Sequence, residues 1–209
     1  MTQNTSTAVM QRRSEPHDSL DDFPTPPWAT RALCEALPAP LSYMTVREPA
    51  ANRGHMARPL QEYFAKVEVA DIFDYGQGYQ VKDYLFGPAP HPVGWTITNP
   101  PFRLAEQFIA RAFETSTEGV AVIVRSAFLE GVGRHTNLFS ISPPSLILQF
   151  SERVVMHKGK LSPKGSTATA YCWLIWMMGE QGTKFDWIAP CRKRLERASD
   201  YHGGNDGGL

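Results

Sequence analysis

In the stretch GWTITNPPFRLAEQF, residues 94–108, a short run of alternating apolar and polar residues ends in Asn99-Pro100-Pro101-Phe102. Neither proline can donate a backbone hydrogen bond, so a sheet ladder cannot continue through them. What these residue types offer instead is two acceptors on a stiff backbone. An exocyclic amino group on adenine or cytosine is a poor nucleophile because its lone pair is delocalised into the ring. Acceptors that hold its hydrogens draw that pair out of conjugation and help a methyl group to be transferred to it. The Asn99 side-chain oxygen and the Pro100 carbonyl are such acceptors. Pro100 and Pro101 would fix the backbone between them, and Phe102 would stack on the base. Asn-Pro-Pro is also an ordinary way to end a strand and begin a helix, and taken alone the four residues leave both readings open.

A second stretch bears on the choice. Glu48 to Gly54, EPAANRG, lies between a strand-like and a helix-like segment. A strand, a glycine-containing turn and a helix is where doubly wound folds seat a nucleotide. The stretch lacks the first glycines of a GxGxxG phosphate cradle, which favours a ligand without a pyrophosphate. Asp71 ends the next strand about 20 residues on, where an acid accepts from ribose hydroxyls. An acid in that place also serves simply to cap a turn.

These residues need a scaffold, and the chain alternates strand-like and helix-like stretches, the pattern of an α/β fold with a mostly parallel sheet. Thr25 followed by Pro26-Pro27 predicts an N-cap with proline opening a helix, and Ala29, Leu33 and Leu37 recur at i+4 until Pro38 and Pro40 stop it. Strands are expected around Met44 to Arg47, over KVEVAD (66–71), at GWTITN, over GVAVIVR (119–125), near SLILQF (145–150), over YCWLIWMM (171–178) and near FDWIAP. Helices are expected through Met56, Leu60 and Phe64, through Leu104, Phe108 and Ala112, and over 127–139. Trp173, Trp176 and Trp187 fall in strand settings and read as core or sheet-packing residues.

At 209 residues the chain suits one domain, and no apolar run approaches the roughly 18 residues a membrane span needs. Twenty-one basic residues balance 21 acidic ones, so a nucleic-acid partner must be met by a local patch. The best patch follows the 145–150 strand. Arg153, Lys158, Lys160 and Lys164 occur there with no acid after Glu152, among Gly, Pro, Ser and Thr that predict an exposed basic loop over 153–170. CRKRLER, with Arg192, Lys193, Arg194 and Arg197, comes second. His157, inside the first patch, reads as solvated. Cys34, Cys172 and Cys191 have neither a disulfide-framework nor a zinc-ligand spacing, which fits a reducing cytoplasm. Residues 1–20 read as a flexible polar arm and 202–209 as a flexible tail, leaving 21–201 as the folded domain.

Taken together, EPAANRGHM, DIFDYG, KDYLF and TNPPF, in this order and preceded by FPTPPWATRAL, resemble the amino-methyltransferases that act on DNA. The resemblance is closest to the small adenine-N6 enzymes of bacteriophages and prophages, and covers about residues 21–201. NPPF by itself also occurs in methyltransferases of rRNA and of protein glutamine; the combination is more specific. It implies a Rossmann-like class I methyltransferase fold with helices on both faces of the sheet. It further implies S-adenosylmethionine as cofactor, no metal, no covalent intermediate, and duplex DNA as partner with the target adenine flipped out of the stack. Position by position, it implies that Glu48, Pro49, Ala50 and Gly54 form the first cofactor loop, and that Asp71 binds ribose with Ile72 beside the adenine ring. Asp83, Tyr84 and Leu85 match the segment whose acid meets the cofactor's adenine amino group. Thr25 and Trp28 fall in the segment that closes over the methionine end. Asn99, Pro100, Pro101 and Phe102 match the catalytic loop, with Asn99 also facing the cofactor.

With DNA as the partner, the phosphate contacts are expected from Lys158, Lys160 and Lys164, and after them from Arg192 and Lys193. Two departures stand out. Ala51-Asn52 replace the Cys-Gly of many relatives, leaving Gly54 as the only glycine of its loop. Only about 60 residues follow the 145–150 strand, fewer than a typical separate target-recognition domain, so weak sequence specificity is expected. The motifs leave open cytosine N4, RNA or a protein glutamine amide as the acceptor, and a non-catalytic DNA-binding relative. In biology the family implies protection of phage DNA against restriction or an orphan regulatory mark.

Overall fold

The structure, a computed structural model, describes residues 21–38 and 40–201. The arm expected over 1–20 and the tail expected over 202–209 lie outside the described residues.

Strands β1 (Thr45–Glu48), β2 (Lys66–Asp71), β3 (Gln80–Val81), β4 (Val93–Thr98), β5 (Ser116–Arg125), β6 (Leu146–Phe150), β7 (Tyr171–Met177) and β8 (Lys184–Ile188) form one sheet. Their order is β3-β2-β1-β4-β5-β7-β6-β8. Only the pairings of β7, with β5 and β6, are antiparallel, so β7 alone runs against the rest. From β1 the chain moves outward to β2 and β3, then crosses back to β4 on the other side of β1 and continues to β5. At such a reversal the connections leave in opposite directions, and a crevice opens beyond the carboxyl ends of the two central strands. Glu48 and Asn99 stand at those ends.

Both faces of the sheet are apolar, as buried parallel strands require. Along β5, Ala121 and Ile123 enter one cluster, with Trp95, Trp173, Ile175 and Trp28, while Val120, Val122 and Val124 enter the other, with Leu174, Trp176 and Ile109. Gly119 lies opposite Trp95 in the ladder, and a Cβ there would overlap the indole, so glycine is what lets the ring cross the strand.

Helix α1 (Pro27–Ala36) begins as proline placement predicts, but Pro26 rather than Thr25 is the N-cap and no side chain caps it. The Thr25 hydroxyl turns inward instead. Around α2 (Ala57–Leu60), Met56, Leu60 and Phe64 are buried as the i+4 spacing predicts, yet regular helix stops after one turn. Pro59 has no N–H to give, and turn-type bonds from Glu62 to Pro59 and from Tyr63 to Leu60 take over. Helix α3 (Ala105–Thr115) buries Ala105, Phe108, Ile109 and Ala112.

The helix expected over 127–139 is broken: a 3-10 turn at Ser126–Leu129, then α4 (Val132–Arg134) running into a π-turn at His135–Phe139. Gly131, at φ +120°, separates the pieces. The two-residue β3 and α5 (Arg192–Leu195) carry no hydrophobic period and were not expected. Trp173 and Trp176 are buried, but Trp187 is 63% exposed, because β8 is an edge strand that the described residues leave largely uncovered. Burial pushes the Cys34 and Cys172 thiols up to about 12 and that of Cys191 to about 11.

The ends of the described chain are joined by one buried cation. Arg31 of α1 donates from Nη1 to the Leu195 carbonyl and Asp200 Oδ2, both at 2.8 Å. From Nη2 it donates to Asp200 Oδ1 and Glu62 Oε1, and from Nε to Glu62. Burial disfavours both charges, but their mutual hydrogen bonds prevail: the Arg31 pKa is raised and that of Asp200 lowered. Arg31→Ala would leave Asp200 buried without its cation, and a loss of about 3–5 kcal/mol in urea unfolding is expected. A loss below about 1 kcal/mol would show that the fold does not need this clamp.

Candidate active site

The crevice is organised by a carboxylate. Glu48, the last residue of β1, is 1% exposed. Its Oε1 accepts from the Thr98 hydroxyl at 2.6 Å and from the Ala50 N–H at 3.0 Å. Its Oε2 is buried with no hydrogen-bond partner among the described residues. Desolvation pushes the carboxyl up to about 8, against the opposing hydrogen bonds from Thr98 and Ala50.

Past Glu48 the chain turns sharply. Asn52 adopts φ +51° and Gly54 φ +79°. Asparagine is one of the few side chains that tolerates this conformation, which explains how it replaces the glycine of similar sequences. It also adds contacts a glycine lacks: Nδ2 donates to Asp22 Oδ1 at 2.5 Å, and Oδ1 accepts the Arg53 N–H at 2.6 Å. At Gly54 a Cβ would overlap the Tyr79 hydroxyl. Asp71, ending β2, accepts the Asn52 N–H at 2.8 Å and the Phe73 N–H at 2.9 Å, so it braces the turn from below. Burial raises its pKa. The structure shows the turn-capping role; a carboxylate has about four acceptor sites, so two hydrogen bonds to the turn do not exhaust it.

The prolines of the 99–102 loop begin where the β4 ladder ends at Thr98. Asn99 Nδ2 donates to the Phe23 carbonyl at 2.9 Å, which fixes the amide and leaves Oδ1 buried without a partner among the described residues. The Phe102 N–H donates to Asp21 Oδ2 at 2.5 Å. The Phe102 ring lies 5.4 Å from that of Phe23, and the Arg125 guanidinium sits 4.1 Å from its centroid.

Residues 21–25 thus strap the site. Asp21 holds the 99–102 loop, Asp22 holds Asn52 and Arg53, and the Asp22 carbonyl accepts the Gly159 N–H at 2.8 Å. That last bond anchors a small hairpin closed by a His157–Lys160 bridge, with Lys158, Lys160 and Lys164 exposed in or near it. The expected basic loop is therefore tied to the mouth of the crevice, although its first residues, Val154 to Met156, are buried core. Arg192 is spent on Glu196 and on the Pro163 carbonyl, so it braces this loop rather than offering a charge. Arg194 and Arg197 pair with Glu35 and Glu62; Lys193 is exposed.

Two cavities meet under the strap. The smaller, about 30 Å³, is lined among others by Thr25, Glu48, His55 and Met56. The larger, about 150 Å³, is lined by Pro49, Asp71, Ile72, Asp83, Tyr84, Leu85, Pro101, Leu104 and Phe108 among others. Asp21, Ala50, Asn52 and Asn99 line both and so form the neck. Most of the expected cofactor residues are thereby brought together. Trp28 is not: it is 1% exposed, edge-on to Phe150 in the core beneath, because its place on α1 faces the sheet. Gly54, Pro100 and Phe102 shape the walls from behind without lining either cavity. Asp21, His55 and Tyr75 were not singled out from sequence; Asn52 stood out only as a departure within its loop, and Leu104 and Phe108 only as helix-face residues. The DDF preceding the TPPW stretch was the only signal for the strap.

No family model matches the chain, and no curated protein does. Among solved structures it is similar to a Listeria monocytogenes protein assigned as a class I S-adenosylmethionine-dependent methyltransferase, with TM-score 0.63 and 10% identity over 82% of this chain and 68% of that one. It is similar to the methyltransferase subunit of a type I restriction-modification system from Streptococcus thermophilus, with TM-score 0.59 and 9% identity over 79% of this chain and 48% of that one. A Vibrio vulnificus protein assigned as the modification subunit of a type I restriction enzyme has TM-score 0.56 and 16% identity over 96% of this chain and 54% of its own. The chain spans about half the length of these two subunits. At such identities the likeness establishes the fold: a Rossmann-like class I methyltransferase fold with a mostly parallel sheet.

Because the Glu48 carboxyl is raised from its ordinary 4.5 to about 8, the fold favours its neutral form. That preference stabilises fully below the ordinary value and is lost as pH rises through the folded one. The melting temperature is therefore expected to fall between pH 5 and pH 8, and less so in Glu48→Gln. Parallel curves for the two proteins would mean that Glu48 ionises normally.

Proposed function

We propose that the chain is an S-adenosylmethionine-dependent methyltransferase acting on the N6 amino group of adenine in DNA, with the base flipped out of the duplex. The observation that carries this reading is the Asn99 side chain. Its amide is locked through Nδ2, and its oxygen is left buried and unpartnered among the described residues, at the neck of the two cavities.

The residues fit the cofactor. Glu48 Oε2 is an unsatisfied buried acceptor suited to an ammonium group. Asp71 stands where ribose hydroxyls would reach it, and Ile72, Leu85, Leu104 and Phe108 give the larger cavity apolar walls suited to an adenine ring. When bound, S-adenosylmethionine supplies an electrophilic methyl group on a sulfonium. Asn99 Oδ1 accepts a hydrogen of the target amine and so draws its lone pair out of the ring. The Phe102 ring lies between Phe23 and the Arg125 guanidinium, so the exposed Arg125 is the flat partner for an extruded base, whose unstacking costs a few kcal/mol. The Lys158, Lys160 and Lys164 region meets phosphate beside the crevice, which supports a duplex partner for a chain of zero net charge. The two restriction-system subunits of similar fold support DNA over other amino acceptors.

Incubation with isotope-labelled S-adenosylmethionine and unmethylated DNA duplex, digestion and mass spectrometry should yield labelled N6-methyldeoxyadenosine. Asn99→Ala should reduce turnover by about 100-fold or more while leaving cofactor affinity nearly intact. Loss of both together would assign Asn99 a structural role, and labelled RNA or protein in place of DNA would replace the substrate. Glutamine at positions 158, 160 and 164 together should flatten the salt dependence of DNA binding by up to about 0.9 in slope per lysine that meets a phosphate. An unchanged slope would move the DNA interface elsewhere.

A further inference from the structure

The strand that closes one edge of the sheet, β8, reads Lys184-Phe185-Asp186-Trp187-Ile188 and pairs only with β6. The Lys184 N–H donates to the Ser145 carbonyl at 2.9 Å, and the Ile188 carbonyl accepts the Ser151 N–H at 3.1 Å. Along a strand the N–H and C=O of one residue point to the same side, and successive residues alternate. Lys184, Asp186 and Ile188 therefore face β6, while Phe185 and Trp187 turn their backbone groups to the free edge. Such an edge is a template for another strand unless a proline, a bulge or a covering segment blunts it. The five residues hold no proline, and their register with β6 runs without a shift. Among the described residues the Trp187 N–H is met by the carboxylate of its own neighbour, Asp186 Oδ1, at 2.7 Å.

The side chains sort by face. Phe185 and Trp187 share one, 47% and 63% exposed, with their rings 4.9 Å apart. Lys184 and Asp186, both exposed, share the other. This pattern is complementary to itself in one register. A two-fold axis at Lys184 or at Asp186 sets like charges opposite each other, and one at Trp187 sets Asp186 opposite Ile188 of the second copy. With the axis at Phe185, Lys184 of each copy stands opposite Asp186 of the other, the two Phe185 rings are neighbours, and each Trp187 lies diagonal to the other copy's Phe185. Phe185 is also an outward-facing residue, so in this register the two copies exchange both of its N–H···O bonds. The Trp187 N–H then meets the Thr183 carbonyl of the second copy, which frees Asp186 for the lysine.

We infer that β8 is a homodimer interface, in which two copies of the chain join edge to edge through antiparallel β8 strands with Phe185 on the two-fold axis. The inference is independent of the methyl-transfer reading. Since β8 runs in the same direction as β1 and β4, the two crevices open at opposite ends of the joined sheet.

The test is analytical ultracentrifugation of the full chain across a dilution series, where the wild type should pass reversibly from dimer to monomer. Lys184→Asp sets two Asp–Asp pairs across the axis and Asp186→Lys two Lys–Lys pairs, and each should weaken dimerisation about 10- to 100-fold. The double variant, Lys184→Asp with Asp186→Lys, restores opposite charges and should recover most of the affinity. An equimolar mixture of the two single variants should form a heterodimer tighter than either homodimer, because each complements only the other. Both positions are exposed, so the variants leave the fold intact. A wild type that is monomeric at every dilution, a dimer whose affinity the single variants leave unchanged, or a mixture as dissociated as its components would overturn the assignment. Hydrogen exchange reads the edge directly: the Phe185 amide should gain protection as concentration rises. Protection that is independent of concentration would mean that another segment of the same chain covers β8, and the interface would fall with it.

Discussion

A carboxylate sealed at the end of a central strand, with only one of its oxygens satisfied, is the constraint around which this molecule is arranged. Burying Glu48 is unfavourable unless its charge is removed or met, and the protein does neither completely. Thr98 and the Ala50 N–H secure Oε1, which fixes the end of β4 and the start of the turn against the end of β1. The other oxygen is held toward the crevice. Because β1 and β4 are neighbours at the point where the strand order reverses, this one side chain sets where the cavity, the turn and the 99–102 loop lie relative to each other.

The strap converts that local arrangement into a single unit. Residues 21–23 touch the turn after β1 through Asp22, the 99–102 loop through Asp21 and the Phe23 carbonyl, and the basic hairpin through the Asp22 carbonyl. Met156 reaches the same Asn99 amide with its sulfur at 3.9 Å. A ligand entering either cavity therefore presses on bonds shared with the other, because Asp21 and Asn99 border both.

Charge is distributed by purpose. Arg31, Arg194 and Arg197 are spent on Asp200, Glu35 and Glu62, which fasten α1 and the turn after α2 to the C-terminal turns. Arg192 fastens the loop before β7. Lys158, Lys160 and Lys164 face outward beside the crevice, and a lysine is a point charge suited to phosphate without base selection.

The sequence by itself determined the alternating α/β order, the location of most strands, and many of the residues around the crevice. Those are local properties: period, proline and glycine placement, and motif spacing act over a few residues. The buried face of β5 and the loop at Asn99 were legible for that reason. Which basic residues are available was not legible, since Arg192 and Lys164 look alike until Glu196 and Pro163 are seen to hold one of them. Nor was the core position of Trp28 or the exposure of Trp187 on an edge strand. Each depends on a partner that the chain brings near only by folding, and Asp21, Asn52 and Asn99, far apart in sequence, become one neck only where the strand order turns back on itself.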